Sequence, residues 1–159
     1  MTTTLLYPSA HIAEVFFPVS NDENMLLCII QEIAAIGYYH GFETGIIHQS
    51  KIAKNIRLLA ENNKLNVTQW LTFELLKDNL NLSSLDNELR ERSISRACEL
   101  VHLSAECGTS KISLVSGSDP GDRLREEGKK CFGEALVRIS EVVRQYDNML
   151  LQVEPLDRF

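Results

Sequence analysis

The chain has 159 residues, enough for one domain with a hydrophobic core, and its 44% hydrophobic and 24% charged residues match a soluble globular protein. A net charge of −6 and a sequence pI near 5.2 set an acidic surface against phosphate backbones, so nucleic acid is not an expected partner. No apolar stretch approaches the roughly 20 residues that span a bilayer, and "MTTTLLYPSAHIAE" lacks the basic flank and long apolar core of a signal peptide; no membrane is expected, and the expected location is the cytoplasm.

In chain order, "HIAEVFFP" (His11 to Pro18) is β-branched, aromatic and closed by proline, and reads as a first strand. Ser20 or Asn21 can cap a helix through "DENMLLCIIQEIAAIGYY", with Leu26, Ile29, Ile33 and Ile36 at helical spacing. "GFETGII" (Gly41 to Ile47) reads as a second strand. "SKIAKNIRLLAENN" reads as a helix with Ile52, Ile56 and Leu59 on one face, and "LNVTQWLTF" (Leu65 to Phe73) as a third strand. After the polar excursion "ELLKDNLNLSSLDN" comes a helix striped by Ile94, Cys98, Val101 and Ala105, with Gly108 at its C-cap. "KISLVSG" (Lys111 to Gly117) is the fourth strand. A fourth helix carries Phe132, Leu136, Ile139 and Val143 inward, and "NMLLQVE" is the fifth strand.

Strands alternating with helices imply parallel strands joined by right-handed crossovers. Two architectures fit: an open doubly wound sheet, or the first five strands of a (β/α)8 barrel. Length favours the open sheet, since a full barrel typically needs about 250 residues.

The stretch "NLSSLDNELRERSISRACELVHLSAECGTSKISLVSG", continued by "GSDPGDRLREEGKKCFGEALVRISEVVRQYDNMLLQVEPLDR", resembles the xylose isomerase-like TIM barrels, the sugar phosphate isomerases and epimerases. The resemblance lies in an "NLxSxD"-like loop, an Arg-rich helix start, a strand ending at glycine, and Glu154-Pro155-Leu156-Asp157-Arg158 after the fifth strand. It runs from about Leu80 to Phe159. Before that only the rhythm agrees, and "GFETGII" lacks the acidic residue expected at its end. The resemblance implies an α/β chain of TIM-barrel type, incomplete, with about five parallel strands and four helices. It implies one domain over residues 1–159, forming the N-terminal part of such a barrel. In the family the fifth-strand glutamate binds a divalent metal (Mn2+, Mg2+, Co2+ or Zn2+) and, in the epimerases, exchanges a substrate proton. That makes Glu154 the candidate catalytic and metal residue. The remaining ligands, typically Asp, His and Glu, belong to strands six to eight, which this sequence lacks, so metal binding by this chain alone is expected to be weak or absent.

Arg158 is a candidate for a substrate phosphate or hydroxyl, or for ordering Glu154, with Asp157 beside it. His48 follows the second strand and would lie near a barrel mouth. Trp70 on the third strand, with Phe73, could stack on a sugar ring or pack in the core. "SGSDPGD" (Ser116 to Asp122) offers free backbone N–H groups to a phosphate, but its aspartates oppose an anion, and it reads as a turn with Pro120 in the first helical turn. His11, His40, His48 and His102 show no metal-ligand spacing. Cys28, Cys98, Cys107 and Cys131 form no CxxC pair and read as small buried thiols in a reducing compartment rather than as zinc ligands. No Ser-His-Asp order, dinucleotide fingerprint or P-loop is present.

The function these features imply is metal-dependent isomerisation or epimerisation of a small-molecule sugar or sugar phosphate. The first alternative is a non-catalytic half-barrel whose open edges associate with a second copy or a complementary chain. The weaker alternative is a metal-dependent endonuclease for damaged DNA, an activity of the same barrel family that the acidic total opposes.

Overall fold

The computed structural model describes residues 7–154. Five strands, β1 (Ser9–His11), β2 (Gly41–Thr44), β3 (Asn66–Trp70), β4 (Lys111–Leu114) and β5 (Leu150–Val153), form one sheet in the order β1-β2-β3-β4-β5. Every neighbouring pair is parallel. The described residues also form helices α1 (Ile12–Val15), α2 (Glu23–Ile36), α3 (Ser50–Asn63), α4 (Thr72–Lys77), α5 (Asn87–Glu106) and α6 (Arg125–Val143). The long α2, α3, α5 and α6 are the four crossovers, and α1 and α4 are short additions at strand exits. A doubly wound sheet reverses its strand order at a switch point. Here the order never reverses, and crossovers of one hand put every long helix on the same face. This is the winding of a (β/α)8 barrel, present for five strands.

The first strand differs from its expected span of His11 to Pro18. Pairing with β2 stops at His11↔Glu43, and the Phe16 N–H bonds the Ile12 carbonyl at 3.1 Å, so the chain has already turned into α1. Of the apolar run, Ile12 enters the core while Val15, Phe16 and Phe17 stay exposed. A short apolar run carries no periodicity that separates strand from helix. The second, third and fourth strands also end three residues early, because the residues after them turn away from the sheet; "TFELLK" is α4. Asp22 caps α2, accepting from the N–H groups of Asn24 (2.9 Å) and Met25 (3.3 Å), in place of the expected Ser20 or Asn21. Gly108 follows α5 with φ +70°, as its C-cap role requires.

Side chains on a strand alternate between faces. Phe42, Val67, Ile112 and Leu114 point toward the helices and are buried. They join two apolar clusters: one around α2 and α3 with Ile30, Ile33 and Ile56, the other around α5 and α6 with Ile94, Leu100 and Ile139. The stripes are shifted from expectation. Ala97 and Leu100 are buried where Cys98 is only half-buried, and Ile36 is exposed. Two buried polar side chains, Thr44 and Gln69, sit side by side on the helix-facing side; the Gln69 amide donates to the Gly45 carbonyl (3.1 Å) and accepts from the Thr109 hydroxyl (2.9 Å). Bonded at both its nitrogen and its oxygen, the Gln69 amide ties the exit of β2 to β3.

Candidate functional site

The opposite alternation set gives the face free of long helices. Register places His11 beside Glu43, Glu43 beside Thr68, and Trp70 beside Ser113 and then Gln152. The Glu154 N–H bonds the Leu114 carbonyl at 3.0 Å, so the ladder continues one residue past β5 and Glu154 keeps the parity of Gln152. This face is therefore polar at the C-terminal strand ends, the end at which barrel enzymes carry their chemistry.

At the β1–β3 end three of these side chains meet. The Trp70 indole N–H donates to Glu43 Oε2 at 3.1 Å. The His11 ring lies 5.3 Å from the Trp70 ring, tilted by 50°. His11 Nδ1 and Ser113 Oγ are buried on this face without a hydrogen-bond partner among the described residues. Neither His11 nor Glu43 stands out in the sequence. With the second strand read as Gly41 to Ile47, its end falls on isoleucine; with β2 ending at Thr44, Glu43 is the acidic residue near a strand end. The alternation of Phe42 against Glu43 carried that signal.

At the other end Glu154 is half-buried, and β5 is an edge strand with Leu150 62% exposed. Trp70 and Glu154 belong to strands two apart, about 10 Å at ordinary strand spacing. Arg158 and Asp157 lie outside the described residues. No group of three or more His, Cys, Asp or Glu side chains that could hold a metal ion occurs among the described residues. A carboxylate oxygen suits a hard divalent ion, but Glu154 alone does not make a cage, so these residues do not form a complete cation site.

His48 lies away from the Trp70 cluster. It follows β2 in the loop before α3, where its N–H and that of Gln49 donate to the two Glu23 carboxylate oxygens at 2.7 and 3.0 Å. Its Nε2 is 3.4 Å from Glu74 Oε1 on α4. It lines a cavity of roughly 500 Å³ with Phe17, Phe73, Glu74 and Lys77, residues of the loops and helix that follow β1, β2 and β3. Phe73 therefore belongs to this cavity and not to β3. In "SGSDPGD", Arg125 grips Asp119 and Asp122, each at 2.6 Å, and α6 starts only at Arg125, five residues after Pro120. The Asp119 and Asp122 carboxylates, bonded to Arg125, raise its pKa. This loop is compensated within itself.

By sequence, no family model and no curated protein matches the chain. By structure it is similar to D-psicose 3-epimerase from Clostridium cellulolyticum H10, at 17% identity and TM-score 0.65, over 84% of this chain and 48% of that one. It is similar to 3-keto-D-glucoside 4-epimerase from E. coli at 15% identity and TM-score 0.66, over 97% and 58%. An AP endonuclease of family 2 from Brucella melitensis aligns at 15% identity and TM-score 0.67, over 96% and 56%. At identities this low the likeness shows the fold alone, the (β/α) barrel winding that these structures share. The chain spans about half the length of the structures it matches, which fits the first part of such a barrel. No helix among the described residues is long and apolar enough to cross a membrane.

Proposed function

We propose that this chain contributes the first five strands of a barrel that isomerises or epimerises a sugar or sugar phosphate by proton transfer beside a carbonyl, in the cytoplasm. The observation that carries the reading is Glu154: a carboxylate at the C-terminal end of β5, pinned to β4 through its own N–H, on the polar face. A carboxylate there can take the proton from the carbon next to a carbonyl, leaving an enediolate, and return it on the same face to the neighbouring carbon; inversion at the first carbon would take its new proton from a second acid on the opposite face. Stacking on Trp70 and hydroxyl contacts along the polar face would hold the substrate's remaining carbons. A divalent ion bound at Glu154 would polarise the hydroxyl and carbonyl oxygens of such a substrate; its other ligands must come from outside the described residues. Calorimetric titration with Mn2+ tests the assignment. Weak binding that disappears in Glu154→Ala is expected, and equal affinity in both proteins would sink it.

The edge position of β5 favours one competing reading, association through the open edge with a second copy or a complementary chain. Sedimentation separates the two, since a concentration-dependent dimer whose contact covers β5 belongs to that reading. The fold shared with an AP endonuclease keeps a DNA substrate in play. The charge of −6 weighs against it, and retention on DNA at physiological salt would restore it.

A further inference from the structure

We infer that Glu43 is a positioning and specificity residue: it fixes the Trp70 indole as a platform and offers its second oxygen, Oε1, to a hydroxyl of a neutral polyol chain or ring. This rests on the sugar reading above and names the part of the substrate that this end of the sheet would receive.

The indole belongs to β3, its hydrogen-bond acceptor to β2 and its ring neighbour His11 to β1. Three strands thus fix one aromatic plane, and they do so on the face that carries neither of the apolar clusters. Packing needs none of it. The same face leaves His11 Nδ1 and Ser113 Oγ buried without partners among the described residues, an arrangement that costs stability and that folding alone does not call for. Trp70 and Glu43 are both partly exposed, so ring face and carboxylate are within reach from the mouth. A carboxylate has about four lone-pair sites, and the indole occupies one. An aromatic face beside a charged acceptor suits a ligand with C–H groups on one side and O–H groups on its rim. The same charge repels a phosphate, so any phosphate of the substrate would lie away from Glu43.

Trp70 is the sole tryptophan of the chain, so emission excited to the red of the tyrosine band reads this cluster alone. Titration of the whole chain with D-fructose should shift that emission saturably. Glu43→Gln keeps an amide oxygen for the indole N–H, so its unliganded anisotropy should match the native chain. It presents N–H groups in place of the charged acceptor, and D-fructose should bind about tenfold more weakly, the loss expected for one charge-assisted hydrogen bond. Glu43→Ala, which frees the indole, should change the unliganded spectrum as well. Emission unmoved by D-fructose, or Glu43→Gln binding as tightly as the native chain, overturns the inference. Because the readout needs neither metal nor turnover, a saturable shift without any Glu154-dependent metal binding would overturn the proposed reaction and leave the subsite standing.

Discussion

The two ends of the polar face are built differently. At β1–β3 every strand has its carboxylate, imidazole or indole in contact with a side chain of another strand, and Glu43 is already engaged by Trp70. At β5 the backbone of Glu154 is fixed to Leu114, but its carboxylate makes no hydrogen bond among the described residues, and the strand is an exposed edge. The first end reads as a pre-organised surface that would hold a ligand's inert part. Under the proposed function the second would be the reactive end, where a group must stay free to exchange a proton or meet a cation. The Glu43 carboxylate is committed to the indole N–H and the Glu154 carboxylate is not, and the two glutamates are suited to different work for that reason.

Stability should reveal the same contrast. Phe42 is fully buried behind β2, and Phe42→Ala should cost about 3–5 kcal/mol in denaturant unfolding. Leu151, half-buried on the edge strand β5, should cost only about 1–1.5 kcal/mol as Leu151→Ala, in proportion to the area it buries. Similar losses would mean that β5 is as firmly packed as β2 and that the contrast is false.

Next in size is the loop after β4. Gly117 has φ +103°, and a Cβ there would stand 2.2 Å from Asn81 Oδ1, the atom that holds the Ser83 N–H and hydroxyl. Gly117→Ala should therefore cost about 1–3 kcal/mol of strain and loosen the loop from β3 to α5, visible as faster amide exchange at Ser83. A neutral result would show that this loop does not support the β4–β5 end.

The N-caps should not distinguish the two ends. Asp22 on α2 and Asp86 on α5 each accept two backbone N–H groups, and either Asp→Ala change should cost about 1 kcal/mol. A large difference in thermal unfolding would mean that one helix layer is locally weaker than its packing implies.

The smallest effect lies at Cys107, in the α2–α3 cluster. Burial first, then the charges of Glu23 and Glu106, push its thiol up to about 12 from an ordinary 9.0. A folded pKa above the unfolded one leaves its contribution intact below about pH 9 and lost as pH rises toward 12. Exposed Cys28 should alkylate in the native chain at pH 8, and Cys107 only on unfolding. Native labelling of Cys107 would show that this half of the core opens.

The alternation of strands and helices was readable because the crossover helices carry strong 3.6-residue periodicity, as in Ile52, Ile56 and Ala60 of α3. Strand ends were not, because apolar residues continue past the last ladder bond. Phe16 and Phe17 run on over the sheet end, and Ile46 and Ile47 turn into the helix-side core. Periodicity cannot say where pairing stops; that depends on the neighbouring strand. Mislaid ends hid the site residues that depend on them: Glu43 fell inside a longer strand and His11 at the start of one. Glu154 escaped this because a proline follows it at once. Trp70 was legible as an aromatic on the third strand, but its bond to Glu43 spans 27 residues and leaves no local pattern. His48 was placed near the mouth because it follows β2; it lines the cavity formed by the segments after β1, β2 and β3, and its contact with Glu74 of α4 has no local pattern in the sequence.

The central claim is that the reactive end of this face is Glu154 and the holding end is β1–β3. Paramagnetic broadening of backbone amide signals by substoichiometric Mn2+ tests it most directly. The account predicts broadening strongest at Ser113–Val115 and Gln152–Glu154, falling off strand by strand toward β1 so that Glu43 is affected least, and gone in Glu154→Ala. Broadening spread over the acidic helix faces, or unchanged in that variant, would contradict it.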